Sequence, residues 1–289
     1  MKKVQFVMAP PPAHMVGDGF RVHSFFPNHE IHNKRMSPFF MMDYNAKTIL
    51  PASKTPPGVG VHPHRGFETV TIAYHGRIAH GDSAGNSGII GEGEIQWMTA
   101  ASGILHKEYH ELEFSKTGGP FQMVQLWVNL PAEHKMSSPK YQALTKEMIG
   151  HYVLPEEGGT VEVIAGNFNG VKGPAYTFTP IEMYNIRLRK GAELKFELPE
   201  GFNTGMLIVE GSANVNNGTQ VPQDHFVLFE NEGTDINVKA NEETVILVLS
   251  GAPIHEPIAS YGPFLMNTTE ELQQAIKDFN TGKFGTLED

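Results

Sequence analysis

Apolar residues along this chain fall into short runs separated by glycine, proline and polar residues. Some runs alternate with polar residues and others are continuously apolar, which is typical of half-buried and buried strands. We predict strands over Glu68–Tyr74, Glu94–Met98, Phe121–Leu130, Val161–Ile164, Tyr184–Leu188, Gly205–Val209, His225–Phe229 and Thr244–Leu249. The pattern therefore predicts an all-β protein.

Helical periodicity is clear only near the end of the chain. Between Thr269 and Thr281, apolar residues recur at i, i+3, i+4 and i+7, namely Leu272, Ala275, Ile276 and Phe279. Thr268 and Glu271 have the spacing of a capping box, and Gly282 is a suitable stop. We therefore predict one C-terminal helix, together with a short helical piece over 142–148.

The two halves of the chain resemble each other. In the first half, Val70–Gly76 predicts a strand that ends in a glycine turn, and Gly93–Met98 predicts the next strand. In the second half, Met206–Gly211 and Pro222–Val227 repeat this order. The pattern indicates an internal duplication of one β unit. We predict domains over 1–135 and 150–260 and a tail with the helix over 261–289.

Composition is that of a folded protein. Of the 289 residues, 40% are hydrophobic and 19% are charged, which is enough apolar material for a core. The net charge is −10 and no run of lysine or arginine occurs, so we expect no direct binding to nucleic acid or to an anionic membrane. The N-terminal apolar run is too short for a signal peptide, and we expect a cytoplasmic protein.

Histidines and one glutamate form the most informative pattern. His62-Pro63-His64 and His106-Lys107-Glu108 each place two metal-binding side chains at i and i+2. Residues two apart on a strand share one face, so two such pairs on neighbouring strands can converge. Three imidazoles and a carboxylate suit a divalent ion such as iron, nickel, copper or zinc. The second half has no such pair, so we expect one ion per chain.

Glu68 is an alternative carboxylate ligand. Glu68 is an even number of residues away from His62 and His64, so on an extended strand it would lie on the same face as they do. However, four residues of strand would carry it roughly 13 Å beyond His64, so it would need a bend or bulge to return. Glu108 is only two residues from His106 and needs no bend or bulge, so we favour Glu108 as the fourth ligand.

Several segments resemble the pirin family of bicupins. They are His62–Val70, Gln96–Ala100, Gly103–Glu108, Leu126–Leu130 and Gly262–Thr268. The resemblance implies two tandem cupin β-barrels with metal only in the N-terminal one. It also implies that His62, His64, His106 and Glu108 hold the metal, usually iron. One departure is Ala100-Ala101-Ser102-Gly103, where the family often has Ala-Gly-Arg-Gly.

Two functions follow from the resemblance. The leading one is a metal-dependent dioxygenase that cleaves quercetin-like flavonols with O2, in which Glu108 also acts as a general base. Its cofactor would be Fe(II), with manganese, nickel, cobalt, copper or zinc as alternatives. The rival is a redox-sensitive regulatory module whose metal tunes an interface with a protein partner. A purely structural metal, or a different small aromatic substrate, stays open.

Other residues near the motifs permit both structural and functional interpretations. Gln96 and Gln125 are candidate partners of the ligands, although solvent-facing positions are equally consistent with their spacing. For Trp97 and Met98 we favour core packing over a role as pocket wall. Phe67, Phe121 and Met123 are expected to form apolar walls if they lie near the metal, and ordinary core otherwise. We expect His75 and His80 at the surface or in turns, and His110 too far along its strand to bind the metal.

Overall fold

The computed structural model describes all 289 residues and is built mainly of strands. The first half contains β1 Val4–Met8, β2 His14–Val16, β3 Phe20–Phe26, β4 Phe39–Leu50, β5 Gly58–His64, β6 Phe67–His75, β7 Ile78–Asp82, β8 Ser87–Ile90, β9 Ile95–Thr99, β10 Ile104–His110, helix α1 Leu112–Thr117, β11 Gly119–Asn129 and β12 Lys140–Leu144. Short 3-10 helices cover Ala132–His134 and Pro155–Glu157.

The second half is organised in the same way. It contains β13 Gly150–Val153, β14 Gly159–Ala165, β15 Asn167–Phe168, β16 Val171–Lys172, β17 Ile181–Leu188, β18 Glu193–Glu197, β19 Asn203–Glu210, β20 Ala213–Val215, β21 Thr219–Val221, β22 Phe226–Phe229, β23 Asp235–Ala240, β24 Thr244–Gly251, β25 Ala259–Tyr261, β26 Phe264–Met266 and helix α2 Thr269–Asn280. No helix of the molecule is both long enough and apolar enough to cross a membrane.

The chain divides into two compact units. The histidine-bearing unit comprises Pro12–Pro27, Phe39–Lys146 and Ile254–Asp289, and the second unit comprises Met1–Pro11, Asn28–Pro38 and Glu147–Pro253. The sequence-based ranges 1–135, 150–260 and 261–289 stay a prediction of the domain boundaries. The compact units group the chain differently at both of its ends and at Asn28–Pro38, because these segments pack away from their sequence neighbours.

Each unit contains one seven-stranded and one four-stranded sheet. In the histidine-bearing unit the strand orders are β12-β9-β6-β11-β4-β3-β2 and β5-β10-β7-β8. In the second unit they are β1-β22-β19-β24-β17-β14-β13 and β18-β23-β20-β21. The equal sheet sizes support the predicted duplication, and the corresponding turn glycines Gly76 and Gly211 both have positive φ, 85° and 75°.

The strand predictions and the C-terminal helix are confirmed. All eight predicted strand segments overlap observed strands, and α2 begins after Thr268, whose side chain forms the capping box with Glu271. The helix predicted over 142–148 is wrong. Residues 140–144 instead form β12, which pairs with β9, because the sheet supplies backbone hydrogen bonds and burial that a short isolated helix cannot match.

The end of the chain packs within the histidine-bearing unit. Leu265 donates its backbone N–H to the carbonyl of Arg65, the residue that follows His64. The Arg65 guanidinium forms a buried ion pair of 2.9 Å with Asp278 on α2 and lies 4.7 Å from the centre of the Phe284 ring. The C-terminal segment therefore supports the strand end that carries His64.

Candidate metal centre

The candidate site lies where β5 and β10 pair antiparallel. His62 is directly opposite His106, and Glu108 is opposite Val59. From His62 to Val59 the chain advances three residues, against two on β10, so β5 carries a bulge. Bulges of this kind increase the local twist of a strand.

Three imidazole rings meet at this point. The ring centre of His62 is 4.2 Å from that of His106 and 4.8 Å from that of His64. The Nε2 atoms of His64 and His106 are 2.9 Å apart. Two nitrogens that bind one ion at right angles, each at about 2.1 Å, are separated by roughly 3 Å. The spacing therefore fits a shared metal ion, and the three predicted histidines form one cluster.

Protonation also favours metal binding by these rings. Burial lowers the pKa of His64 and of His106 well below the ordinary histidine value, and the charges of neighbouring histidines lower it further. The Nδ1 atom of His62 lies 2.8 Å from the carbonyl oxygen of Gly60. Because a carbonyl only accepts, Nδ1 carries a proton, which leaves Nε2 as the ring nitrogen that can offer a lone pair to a metal. A metal-binding imidazole must be neutral, so the lowered pKa values of His64 and His106 favour metal binding.

Glu108 lies beside the histidine cluster but is not part of it. Its Oε1 accepts a hydrogen bond of 3.1 Å from the Thr71 hydroxyl, and its Oε2 accepts one of 2.7 Å from the Gln125 amide. Burial raises the pKa of Glu108, while these two bonds and His62 oppose the rise. The residue lines the same cavity as His62 and His64. Its role as the fourth ligand stays a prediction.

Glu68 is placed elsewhere. It follows a change of chain direction at Gly66 and lies on β6, where its carboxylate accepts a hydrogen bond of 2.7 Å from the Thr99 hydroxyl. Burial raises its pKa to about 7. Glu68 belongs neither to the histidine cluster nor to the lining of the cavity.

A cavity of about 420 Å³ lies in front of the histidines. Its lining contains the apolar side chains of Val16, Phe20, Val22, Met41, Val59, Met123 and Trp127. The Trp127 ring stacks on Phe67 with centres 4.2 Å apart and meets His64 edge-on at 5.3 Å. Since Phe67 also contacts His64 at 5.0 Å, these aromatic rings hold the histidine in place.

The remaining histidines of the first half lie outside the cluster. His80 is only 6% exposed and contacts the hydroxyl of Tyr141 through Nε2, so its predicted place at the surface or in a turn is wrong. Its strand pairs with β10 and turns the side chain inward, and burial lowers its pKa to about 4. His110 is also buried, and its Nε2 donates to the carbonyl oxygen of Gly19 at 2.8 Å.

The sequence left the role of some residues of the candidate site uncertain and gave no indication of others. Gln125 lines the cavity and donates to Glu108, so its side chain does not face bulk solvent, and its role as a partner of a metal ligand stays a prediction. Gln96 is buried, and Met123 lines the cavity. Thr71, which contacts Glu108, and Asp43 and Trp127, which line the cavity, gave no local signal for a place at the site. Their cross-strand positions alone bring them there, and register between distant strands is not visible in one sequence.

Family models match most of the chain. The model described as Pirin matches residues 19–128, and the model described as Pirin C-terminal cupin domain matches residues 183–285. A Pseudomonas aeruginosa protein with the provisional name quercetin 2,3-dioxygenase is 44% identical over 98% of this chain and 99% of its own length. The matched range of the first model contains the histidine cluster and Glu108.

Solved structures show the same fold. The crystal structure of quercetin 2,3-dioxygenase from Acinetobacter baumannii is 44% identical, has a TM-score of 0.94 and covers 100% of both chains. A bacterial pirin from Escherichia coli, solved in complex with nickel(II), is 18% identical with a TM-score of 0.63, covering 86% of this chain and all of its own. At that identity the second match bears on the fold alone.

Proposed function

Since this chain belongs to the pirin family of bicupins, we propose that it is a metal-dependent dioxygenase that cleaves quercetin-like flavonols with O2. The observation that carries the proposal is the position of the histidine cluster. His62 and His64 line an apolar cavity of about 420 Å³, and His106 completes their cluster. This volume lies in the range of pockets that bind drug-sized ligands.

The metal would be held by His62, His64, His106 and Glu108. Fe(II) is the ion we favour, since three imidazoles and one carboxylate suit a divalent redox metal and leave positions open on an octahedral ion. When bound, it would supply redox chemistry toward O2 and Lewis acidity toward the flavonol oxygens. The fit is supported by neutral imidazoles whose Nε2 atoms have the spacing of adjacent ligands.

Glu108 would also accept the proton of the flavonol 3-hydroxyl. The hydrogen bonds from Thr71 and Gln125 hold its two oxygens and fix the plane of the carboxylate. A general base must lie within hydrogen-bond reach of the proton that it takes. Glu108 is buried in the same cavity wall as His62, so a ligand in the cavity would come close to its carboxylate.

The apolar wall would bind the aromatic rings of the substrate. Phe20, Met123 and Trp127 offer flat or adaptable apolar surface on the cavity. Burial of aromatic area is favourable, and stacked or edge-on contacts add to it. The same side chains would displace water from around the reacting oxygens, which strengthens the electrostatic interactions inside the cavity.

Oxygen uptake with quercetin tests this function directly. Purified chain should be stripped of metal, reloaded with Fe(II) or with Zn(II), and given quercetin in an oxygen-electrode assay. We expect uptake with the iron form only, because zinc has no redox chemistry. His106→Ala treated in the same way is the control for uptake by free iron.

The proposal fails if iron-replete protein consumes no O2 with quercetin or related flavonols. The regulatory interpretation would then take its place, and protein capture with the ferrous and ferric forms would be compared.

A further inference from the structure

Asp43 is a buried acid of the cavity that the proposed metal chemistry does not use. The residue lies on β4, is only 6% exposed and lines the cavity together with His62 and Glu108. Burying a carboxyl group costs free energy unless hydrogen bonds replace its water. Burial accordingly raises the pKa of Asp43, against the opposing hydrogen bond from Ser24. The hydrogen bond from Ser24 offsets only part of the free-energy cost of burying this carboxyl group, and a ligand that donates to it would offset more.

Strand register places Asp43 in line with the partners of Glu108. Asp43 is directly opposite Gln125 on β11, and Gln125 is directly opposite Thr71 on β6. Directly opposite residues on paired strands point to the same face of the sheet. Thr71 and Gln125 both donate to Glu108, and Asp43 follows one strand spacing, about 5 Å, beyond Gln125.

One oxygen of Asp43 is left for a ligand. The hydroxyl of Ser24, its neighbour across the β3–β4 pair, donates to Oδ1. No protein donor binds Oδ2, although the surrounding cavity wall is largely apolar. Apart from Glu108, Asp43 is the one carboxyl group in the cavity lining. It is therefore a strong acceptor of the cavity wall that lies one strand beyond Gln125 and is not part of the histidine cluster.

We propose that Asp43 is a specificity-determining residue, which accepts a hydrogen bond from a ring hydroxyl of the flavonol at the end remote from the metal-binding oxygens. This inference rests on the proposed function for the identity of the ligand. It narrows the substrate class to planar aromatics that carry a chelating hydroxyl and carbonyl at one end and a phenolic hydroxyl at the other. A flavonol without remote hydroxyls would cover Oδ2 without offering it a donor. A site that hydrogen-bonds a substrate hydroxyl binds an analogue without that hydroxyl much more weakly.

Anaerobic binding of two flavonols tests the inference without turnover. Quercetin carries the remote hydroxyls, whereas 3-hydroxyflavone carries only the metal-binding oxygens. Dissociation constants for both would be measured by calorimetry with zinc-loaded protein, in wild type, Asp43→Asn and Asp43→Leu. Glu68→Gln is the matched control, because it neutralises another buried carboxyl of the same sheet that does not line the cavity.

We expect wild type to bind quercetin at least tenfold more tightly than 3-hydroxyflavone, since hydrogen bonds to charged groups are the stronger ones. Asp43→Leu should remove most of this preference while the affinity for 3-hydroxyflavone stays within about threefold. Asp43→Asn, which keeps an acceptor oxygen, should fall between them. Glu68→Gln should keep the wild-type preference.

Two results would overturn the inference. One is an unchanged quercetin preference in Asp43→Leu, and the other is an equal loss for both flavonols, which would mean a general effect on the cavity. Failure of the proposed function is distinguishable from both. Hydroxyl-dependent binding without O2 uptake by the iron form would refute the dioxygenase and leave the role of Asp43 standing.

Discussion

Gln125 donates a hydrogen bond of 2.7 Å from its Nε2 to Oε2 of Glu108, and the same nitrogen lies 3.4 Å from the Thr71 hydroxyl. The two residues come from different sheets, since Glu108 is on β10 and Gln125 on β11. This bond links the four-stranded sheet that carries the histidines to the opposite wall of the cavity. Together with the bond from Thr71, it therefore fixes the orientation of the carboxylate.

Replacing Gln125 by Leu should weaken metal binding. The substitution leaves Oε2 of Glu108 without its amide donor, and loss of such a partner commonly costs about 10- to 100-fold in metal affinity or activity. Competition with a chelator would measure the change. Gln122→Leu is the matched control on the same strand, because its amide donates to the Tyr44 hydroxyl and not to a ligand. Equal loss in both variants would contradict the assigned role.

Substitution of the predicted ligands should lower metal retention. His62→Ala, His64→Ala, His106→Ala and Glu108→Ala should each retain less metal after dialysis than wild type, because each removes one donor. Glu68→Ala should retain it fully, since Glu68 bonds Thr99 and lies outside the cluster. Elemental analysis of the dialysed proteins measures the result. Retention in Glu108→Ala with loss in Glu68→Ala would reverse the assignment of the carboxylate.

Glu108→Gln should separate catalysis from metal binding. Glutamine preserves the shape of the side chain but removes its negative charge and nearly all of its basicity. Loss of a general base commonly lowers the rate about 10²- to 10⁴-fold, so quercetin turnover should fall by this factor at equal iron content. The comparison requires reloading each protein and dividing the rate by the bound iron. An undiminished rate per iron would show that Glu108 does not take the proton.

The metal content should be one ion per chain. The second unit has no cluster of three potential ligands comparable with the one in the first, and His225 there is held by a local contact of 2.8 Å between its Nδ1 and the Gln223 carbonyl oxygen. Titration of the protein with Fe(II) under argon, followed by gel filtration, would give the ratio. A second tightly bound ion that persists in His106→Ala would contradict the prediction.

Asp278→Asn should destabilise the protein, and the effect should depend on pH. Asp278 pairs with Arg65 at 2.9 Å, and breaking a buried ion pair from one side commonly costs about 3–5 kcal/mol. Asparagine keeps one acceptor, so we expect a loss near the lower end of this range in urea unfolding at neutral pH.

The pH dependence follows from the pKa of Asp278. The hydrogen bond from Lys283, followed by that from Arg65, holds this pKa well below its ordinary value. A depressed carboxyl pKa stabilises the folded state above the unfolded-state pKa of about 3.9. The difference between wild type and Asp278→Asn should therefore shrink as the pH falls below about 4. Lys283→Ala, which removes the exposed partner, should show a smaller loss at neutral pH.

Local pattern alone identified much of this molecule. The alternation of apolar residues predicts the strands, because a strand exposes its two faces with a period of two. The i, i+2 spacing in 62–64 and 106–108 indicates that each pair shares a face, and the capping box at Thr268 indicates where α2 begins. These features depend on residues close in sequence, so a single sequence contains the information.

Only the tertiary structure decided the partners of these residues. Burial and cross-strand pairing turned 140–144 into a strand and brought His80 inside, against the local expectation. The contacts of Glu108 with Thr71 and of Arg65 with Asp278 join positions 37 and 213 residues apart. Such contacts depend on strand register and packing, which hydrogen bonds and burial across the whole fold select together, and no local stretch of sequence encodes them.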